Sequence, residues 1–96
     1  MRIVEGFCVR HVLNETIAVP TGQAARHISG IIALNEVGEF LFELLQTDQT
    51  PESLARAVTE AYDVAYTQAS EDVAEFLGIF RTAGLLIEEA GSGKEG

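Results

Sequence analysis

The sequence predicts an α+β domain in which three short strands precede three helices. Three observations carry this prediction. The first third of the chain holds β-branched and apolar residues in short runs broken by turn residues. From residue 35 onward the apolar spacing lengthens to the helical period. Two helix starts carry capping residues, Asn35 and the pair Thr50-Pro51. With 96 residues there is length for one domain and one core. A chain of this size buries only about 60–65% of its unfolded surface, so the core is thin and a large internal cavity has no walls to form from.

The first strand is Phe7-Cys8-Val9-Arg10-His11-Val12, with Phe7, Val9 and His11 on one face and Cys8, Arg10 and Val12 on the other. Leu13-Asn14 is the turn, with Asn14 expected in the left-handed conformation that a tight hairpin requires. Thr16-Ile17-Ala18-Val19 returns as the second strand, β-branched at three of four positions and closed by Pro20. A third strand is expected over Ile28 to Leu34. Its alternating sets are Ile28, Gly30, Ile32, Leu34 and Ser29, Ile31, Ala33, so both faces are largely apolar. Such a strand either covers both faces or leaves one for a partner.

Asn35 caps the first helix, with Glu36 and Glu39 in the first turn complementing the helix dipole. Val37, Phe40, Leu41, Leu44 and Leu45 form its buried stripe. Thr50 caps the second helix with Pro51 at its first position, and the stripe there is Leu54, Ala55, Val58, Ala61 and Tyr62. After the Asp63-Val64 link a third helix is expected from about Thr67 to Ala83. Gly84 stands at its C-terminal cap, and Leu85 is placed to fold back on the last turn. Residues 91–96, Gly-Ser-Gly-Lys-Glu-Gly, have nothing to bury and are expected as a disordered tail, which leaves 1–90 as the domain.

The third helix carries more apolar residues than one stripe needs. Ala69, Val73, Leu77 and Phe80 fall on one line, and Asp72, Phe76, Ile79 and Ala83 on a second line beside it. The first packs on the other helices. The second is either the margin of a broad buried face or the wall of an open groove.

Charge narrows the function classes. The net charge is −9, from fifteen acidic and six basic residues, and the basic ones are scattered. Phosphate backbones require clustered Lys and Arg, so no nucleic-acid partner is expected. A single cysteine, Cys8, forms no internal disulfide and, lying in a strand with nothing to lower its pKa, is expected as a buried structural thiol. No apolar run approaches the ~20 residues that span a bilayer, and the first residues lack a secretory signal; no membrane partner and a cytoplasmic location are expected.

The chain resembles the PqqD family, small domains also called RiPP recognition elements. The resemblance runs from about Glu5 to Leu86. Its most specific piece is Leu34-Asn35-Glu36-Val37-Gly38, which corresponds to a Leu-Asn-Glu-Thr-Gly junction between third strand and first helix. Val19-Pro20-Thr21-Gly22, Tyr62-Asp63-Val64, Asp72-Val73 with Phe76-Leu77, and Gly84-Leu85-Leu86 support it in order and spacing. The chain departs from the pattern at Val37, at Ala65 where Asp or Ser commonly caps the third helix, at Phe42 where Trp is common, and at Ile79 where a polar residue is common.

The resemblance implies a winged-helix-like fold and a non-catalytic role: capture of a precursor peptide's leader as a fourth strand on the edge of the third strand, for presentation to a separate maturation enzyme, radical SAM or another class. Carried onto this chain, the strand edge is Ser29, Gly30, Ile31, Ile32 and Ala33, and the helix side is Asp72, Phe76, Ile79 and Ala83. A homodimer through the same edge stays open, as does a generic adaptor or oligomerisation module.

Other chemistries lack their residues. His11 and His27 have no metal-ligand spacing to a Cys or carboxylate, and no phosphate loop or nucleophile elbow occurs, so no metal, cofactor or catalysis is expected. Glu52-Ser53-Leu54 superficially resembles the modified serine of acyl carrier proteins, but those are all-helical and Ser53 is more simply a first-turn helix residue. A winged-helix DNA-binding domain fits the element inventory and fails on charge.

Overall fold

Alternation, turn chemistry and capping give the elements expected, and two short strands besides. The computed structural model describes residues 1–22, 24–26 and 30–88, Ala24 by its backbone alone. In chain order the elements are β1 (Arg2–Ile3), β2 (Phe7–Val12), β3 (Glu15–Pro20), a single 3-10 turn (Ala24–Arg26), β4 (Ile32–Leu34), α1 (Glu36–Leu44), α2 (Pro51–Tyr62), α3 (Tyr66–Thr82) and β5 (Leu86–Ile87). The three-stranded antiparallel sheet followed by three helices is the α+β architecture predicted. Gln23, His27, Ile28, Ser29 and the expected tail at 91–96 lie outside the described residues.

β2, β3 and β4 form the sheet in that order, so β3 is central and β2 and β4 are its edges. Val9, Ala18 and Ile32 stand opposite one another across it, as do Arg10, Ile17 and Ala33. The first row faces the helices: Ala18 is fully buried, and Val9 and Ile32 pack on the core. Small Ala18 at the sheet's centre lets the helix layer approach. Phe7 continues this face, meeting Phe42 edge-on at 5.9 Å and Phe80 at 6.2 Å.

Several expectations about the strands need correction. The third strand is shorter than the apolar run: β4 pairs only over Ile32–Leu34, and Gly30 and Ile31 precede it as a bend and an unpaired residue. Cys8 is exposed rather than buried, because alternation that sends Phe7 and Val9 inward sends Cys8 outward. In the hairpin turn the left-handed residue is Leu13, at φ 58°, and not Asn14. A side chain with a Cβ is disfavoured there by about 1–2 kcal/mol, and Leu13 is 97% exposed, so no packing offsets it.

The helices begin where their caps predict. The Asn35 Oδ1 accepts from the Gly38 N–H at 2.6 Å. Thr50 and Ser53 form a capping box, each side chain accepting from the other's backbone N–H, at 2.9 and 3.0 Å. Ser53 thus has a structural role, as the sequence indicated. Ala65 gives α3 no side-chain cap. Asp63, at φ 55°, turns the chain between α2 and α3.

The core centres on Leu41, Leu45, Leu54, Val58, Val73, Phe80 and Leu85. Phe42 is also buried although the expected stripe of α1 omits it, and Ala61 is exposed although the stripe of α2 includes it. α1 is wrapped by sheet, α2 and α3 together, so more than one stripe of it is covered.

α3 ends in a Schellman motif. The Leu85 N–H donates to the Phe80 carbonyl at 2.8 Å and the Gly84 N–H to that of Arg81 at 3.0 Å, with Gly84 at φ 75°. The motif turns Leu85 into the core and aims Leu86–Ile87 back along the domain. There β5 pairs antiparallel with β1, Arg2 opposite Ile87 and Ile3 opposite Leu86. The Ile3 N–H donates to the Leu45 carbonyl at 3.0 Å and the Val4 N–H to that of Leu85 at 2.9 Å, locking this clasp to the helices. No helix among the described residues is long and apolar enough to cross a membrane.

Candidate functional site

The outer edge of β4 opens beside a cleft between α1 and α3, with a volume of about 180 Å³. Its lining comes from three elements: Ala33 and Leu34 of β4, Val37, Gly38 and Leu41 at the start of α1 with their cap Asn35, and Asp72, Glu75, Phe76 and Ile79 of α3.

The floor is continuous with the core. Leu41 is fully buried, Leu34 nearly so, and Phe76 is 8% exposed, stacked on Phe80 at 4.8 Å and 30°. Gly38 sets the depth of this floor. A Cβ there would lie 3.0 Å from Asn35 Oδ1 and 3.6 Å from both Leu34 and Phe76. A side chain at 38 would therefore press on the cap and fill the cleft at once. The cap residue and the glycine three positions later are one device, which starts α1 and keeps its first turn close against α3.

The rim differs from the floor. Ile79 is 54% exposed, an amount unusual for a branched aliphatic on a helix that packs so much else. Ala33 is exposed and Val37 half-buried. Asp72 is half-buried, with one oxygen accepting from Gln68 Nε2 at 3.0 Å, and Glu75 is exposed.

The residues expected from the sequence are thus partly gathered. Ala33, Asp72, Phe76 and Ile79 meet at the cleft. Ile32 contributes its backbone to β4, while its side chain packs on the core. Ile31 is 58% exposed just before the strand and Gly30 precedes it in the bend; neither lines the cleft. Ala83 packs on the core beyond the cleft's end. Ser29 lies outside the described residues. Sequence reasoning missed Glu75 and the whole α1 wall. Glu75 sits one turn before Ile79 on the same face, a spacing that was there to be read. Val37 and Leu41 look identical in sequence to residues buried against a sheet.

In the ladder of an antiparallel sheet every second residue turns its N–H and C=O away from a given neighbour. A three-residue β4 therefore offers one or two outward residues to an added strand. Gly30 and Ile31 precede β4 outside the ladder, with open space around Gly30, where a Cβ would meet nothing within 4 Å.

Elsewhere the charges serve local structure. His11 Nε2 and Glu39 Oε2 lie 2.9 Å apart, tying the hairpin to α1. The Tyr62 hydroxyl, beside Phe40, has its pKa pushed up by burial and then by Glu36, Glu39 and Glu43. Arg81 grips Glu88 through Nε at 2.8 Å and Nη2 at 3.2 Å; this hydrogen bond, ahead of the pair's charge attraction, holds the Glu88 carboxyl below its usual value. Among the described residues no group of three or more His, Cys, Asp or Glu side chains converges as a metal site would require.

Comparison with known proteins bears on this arrangement. The family described as coenzyme PQQ synthesis protein D (PqqD) matches residues 15–86. Among solved structures, TbiB1 in complex with the TbiA(beta) leader peptide superposes with a TM-score of 0.68 at 22% identity, covering 95% of this chain and all of that one. A lasso peptide synthetase B1 complexed with its leader peptide superposes with a TM-score of 0.66 at 17% identity, covering 91% of this chain and 96% of that one. No curated protein matches the sequence significantly.

Proposed function

The chain belongs to the PqqD family, and on that premise we propose that it is a non-catalytic domain that captures the leader of a ribosomally made precursor peptide. The leader adds as a strand to the outer edge of β4 and places alternate side chains in the cleft between β4 and α3. The captured peptide is then presented to a separate modifying enzyme in the cytoplasm, of the radical SAM or another maturase class. The observation that carries this reading is the edge of β4 that no other described strand pairs, beside a cleft whose floor is core and whose rim holds the exposed Ile79. That the two superposed proteins are themselves complexes with leader peptides supports it.

The energetics are compatible with capture and release. Strand-addition hydrogen bonds contribute about 1 kcal/mol net each. Two apolar leader side chains add about 1.5–3 kcal/mol apiece. Association and ordering cost on the order of 4–15 kcal/mol. Even with Gly30 and Ile31 ordered into a longer edge that gives about five bonds, the gains reach at most about 11 kcal/mol against a cost of at least about 4, so the leader binds no more tightly than the micromolar range. A three-residue edge alone leaves binding weaker.

The test is an NMR titration of the ¹⁵N-labelled chain with the leader segment of a short precursor encoded beside its gene. Amide shifts at Ile31, Ile32, Ala33, Phe76 and Ile79 are expected. Shifts confined to other surfaces would refute the site. The same edge and cleft would also suit an adaptor partner or a second copy of the chain; light scattering distinguishes the latter by a concentration-dependent doubling of mass that the leader does not reverse.

A further inference from the structure

The cleft is apolar at its floor and acidic along one rim, and this asymmetry identifies what a ligand must carry besides apolar anchors. Asp72 and Glu75 both line it, and among the described residues no Lys, Arg or His does. Neither acid is in an ion pair among the described residues. Gln68 Nε2 holds one Asp72 oxygen at 3.0 Å, which orients that carboxylate and leaves its other oxygen to accept from a ligand. Each acid precedes an apolar member of the same wall by one turn of α3: Asp72 before Phe76, and Glu75 before Ile79. One helical turn advances about 5.4 Å. The side chains on one face of a strand recur every second residue, about 6.8 Å apart. An extended peptide lying along this wall therefore meets the acidic pair and the apolar pair with successive inward-facing side chains.

We propose that the cleft selects leaders bearing Lys or Arg two residues from an apolar anchor, with Asp72 and Glu75 as the specificity-determining pair. This rests on the strand-capture reading above and adds the chemical class of its substrate. A leader with Gln at that position loses the charge-assisted bond, and one with Glu meets two like charges at close range. The rim is open to water, so the pair governs which leader is preferred more than how tightly any leader binds.

The experiment is selection of a displayed library of random twelve-residue peptides on the full chain, followed by NMR location and affinity measurement of individual winners. Peptides that shift Ala33 and Ile79 are expected to be enriched in Lys or Arg two residues from a large apolar residue. Asp72→Asn combined with Glu75→Gln should weaken them about fivefold, the upper end for an ion pair open to water. Changing the peptide's Lys to Gln should produce the same loss, and the two changes together should cost no more than either. Glu52→Gln with Glu60→Gln removes the same charge from exposed positions on α2 and should change affinity less than about twofold. Cleft-bound winners without a basic preference, unaffected by the Asp72/Glu75 pair, would overturn this proposal and leave the capture reading intact. Winners that never touch β4 or the cleft would overturn both.

Discussion

β5 and β4 are strands of two and three residues, and they meet opposite fates. β5 is fed by a Schellman turn, finds β1 as its partner, and is held by Leu85 in the core and by the Val4 N–H on the Leu85 carbonyl, while the Ile3 N–H ties β1 to Leu45. β4 has β3 on one side and a cleft on the other, with Ile31, Ala33 and Ile79 exposed around it. A strand this short gains little from its own hydrogen bonds; whether it is satisfied depends on what the surrounding core holds against it. At the clasp the chain supplies the second backbone and seals it with a buried leucine. At β4 it supplies a prepared edge and an apolar floor, and these suit a strand from another molecule.

The largest effect separating the two ends is expected from Leu85→Ala. It deletes a fully buried side chain at the root of the clasp and should cost about 2–5 kcal/mol. For a domain of this size the melting temperature falls by on the order of 10 °C or more, measurable by calorimetry. Ile79→Glu tests the other end. With Ile79 half exposed, the folded state should lose less than about 1 kcal/mol, while leader affinity drops tenfold or more because a carboxylate replaces the apolar contact that Ile79 offers. Isothermal titration beside a melting curve separates the two numbers. A variant that binds normally would break the contrast between a sealed end and a receptive one.

Gly84→Ala is expected to cost about 1–2 kcal/mol, because φ 75° disfavours any Cβ while the space around it is empty. Leader affinity should not change, since the motif serves the clasp alone. The smallest effect comes from pH. The Arg81 hydrogen bond lowers the Glu88 pKa on folding, so this pair's contribution is present above the usual glutamate value, about 4.3, and is lost as pH falls through the lowered folded value. Both side chains are about half exposed, which keeps the effect small. Glu88→Gln should abolish that part of the acid sensitivity in a melting series from pH 6 to pH 3.

Much of the fold is legible in the residues because its causes are local. Asn35, Thr50-Pro51 and Gly84 name helix ends through single hydrogen bonds or one dihedral angle, and each stands where it was expected. The alternation in Phe7–Val12 places β2's inner face correctly, and the same alternation explains why Cys8 is outside. The errors share a different origin. Ile31 to Leu34 is apolar throughout, but among the described residues only Ile32–Leu34, which lies against β3, is strand. Phe42 is buried because three elements surround α1, which its own period cannot announce. Half of the cleft was found from the second line on α3, and the α1 wall was not, since a residue lining a groove and a residue filling a core are chemically the same.

By itself, then, the sequence determined the order of elements, their caps and the side of each that turns inward, because these follow from a residue and its neighbours within one turn or one hairpin. Only the tertiary structure decided that β1 closes on β5, that β4 stops short, and that Leu34, Gly38 and Phe76 converge beneath an open edge. Those outcomes depend on which distant backbones and side chains arrive at the same place, and packing settles that competition with no local period to record it.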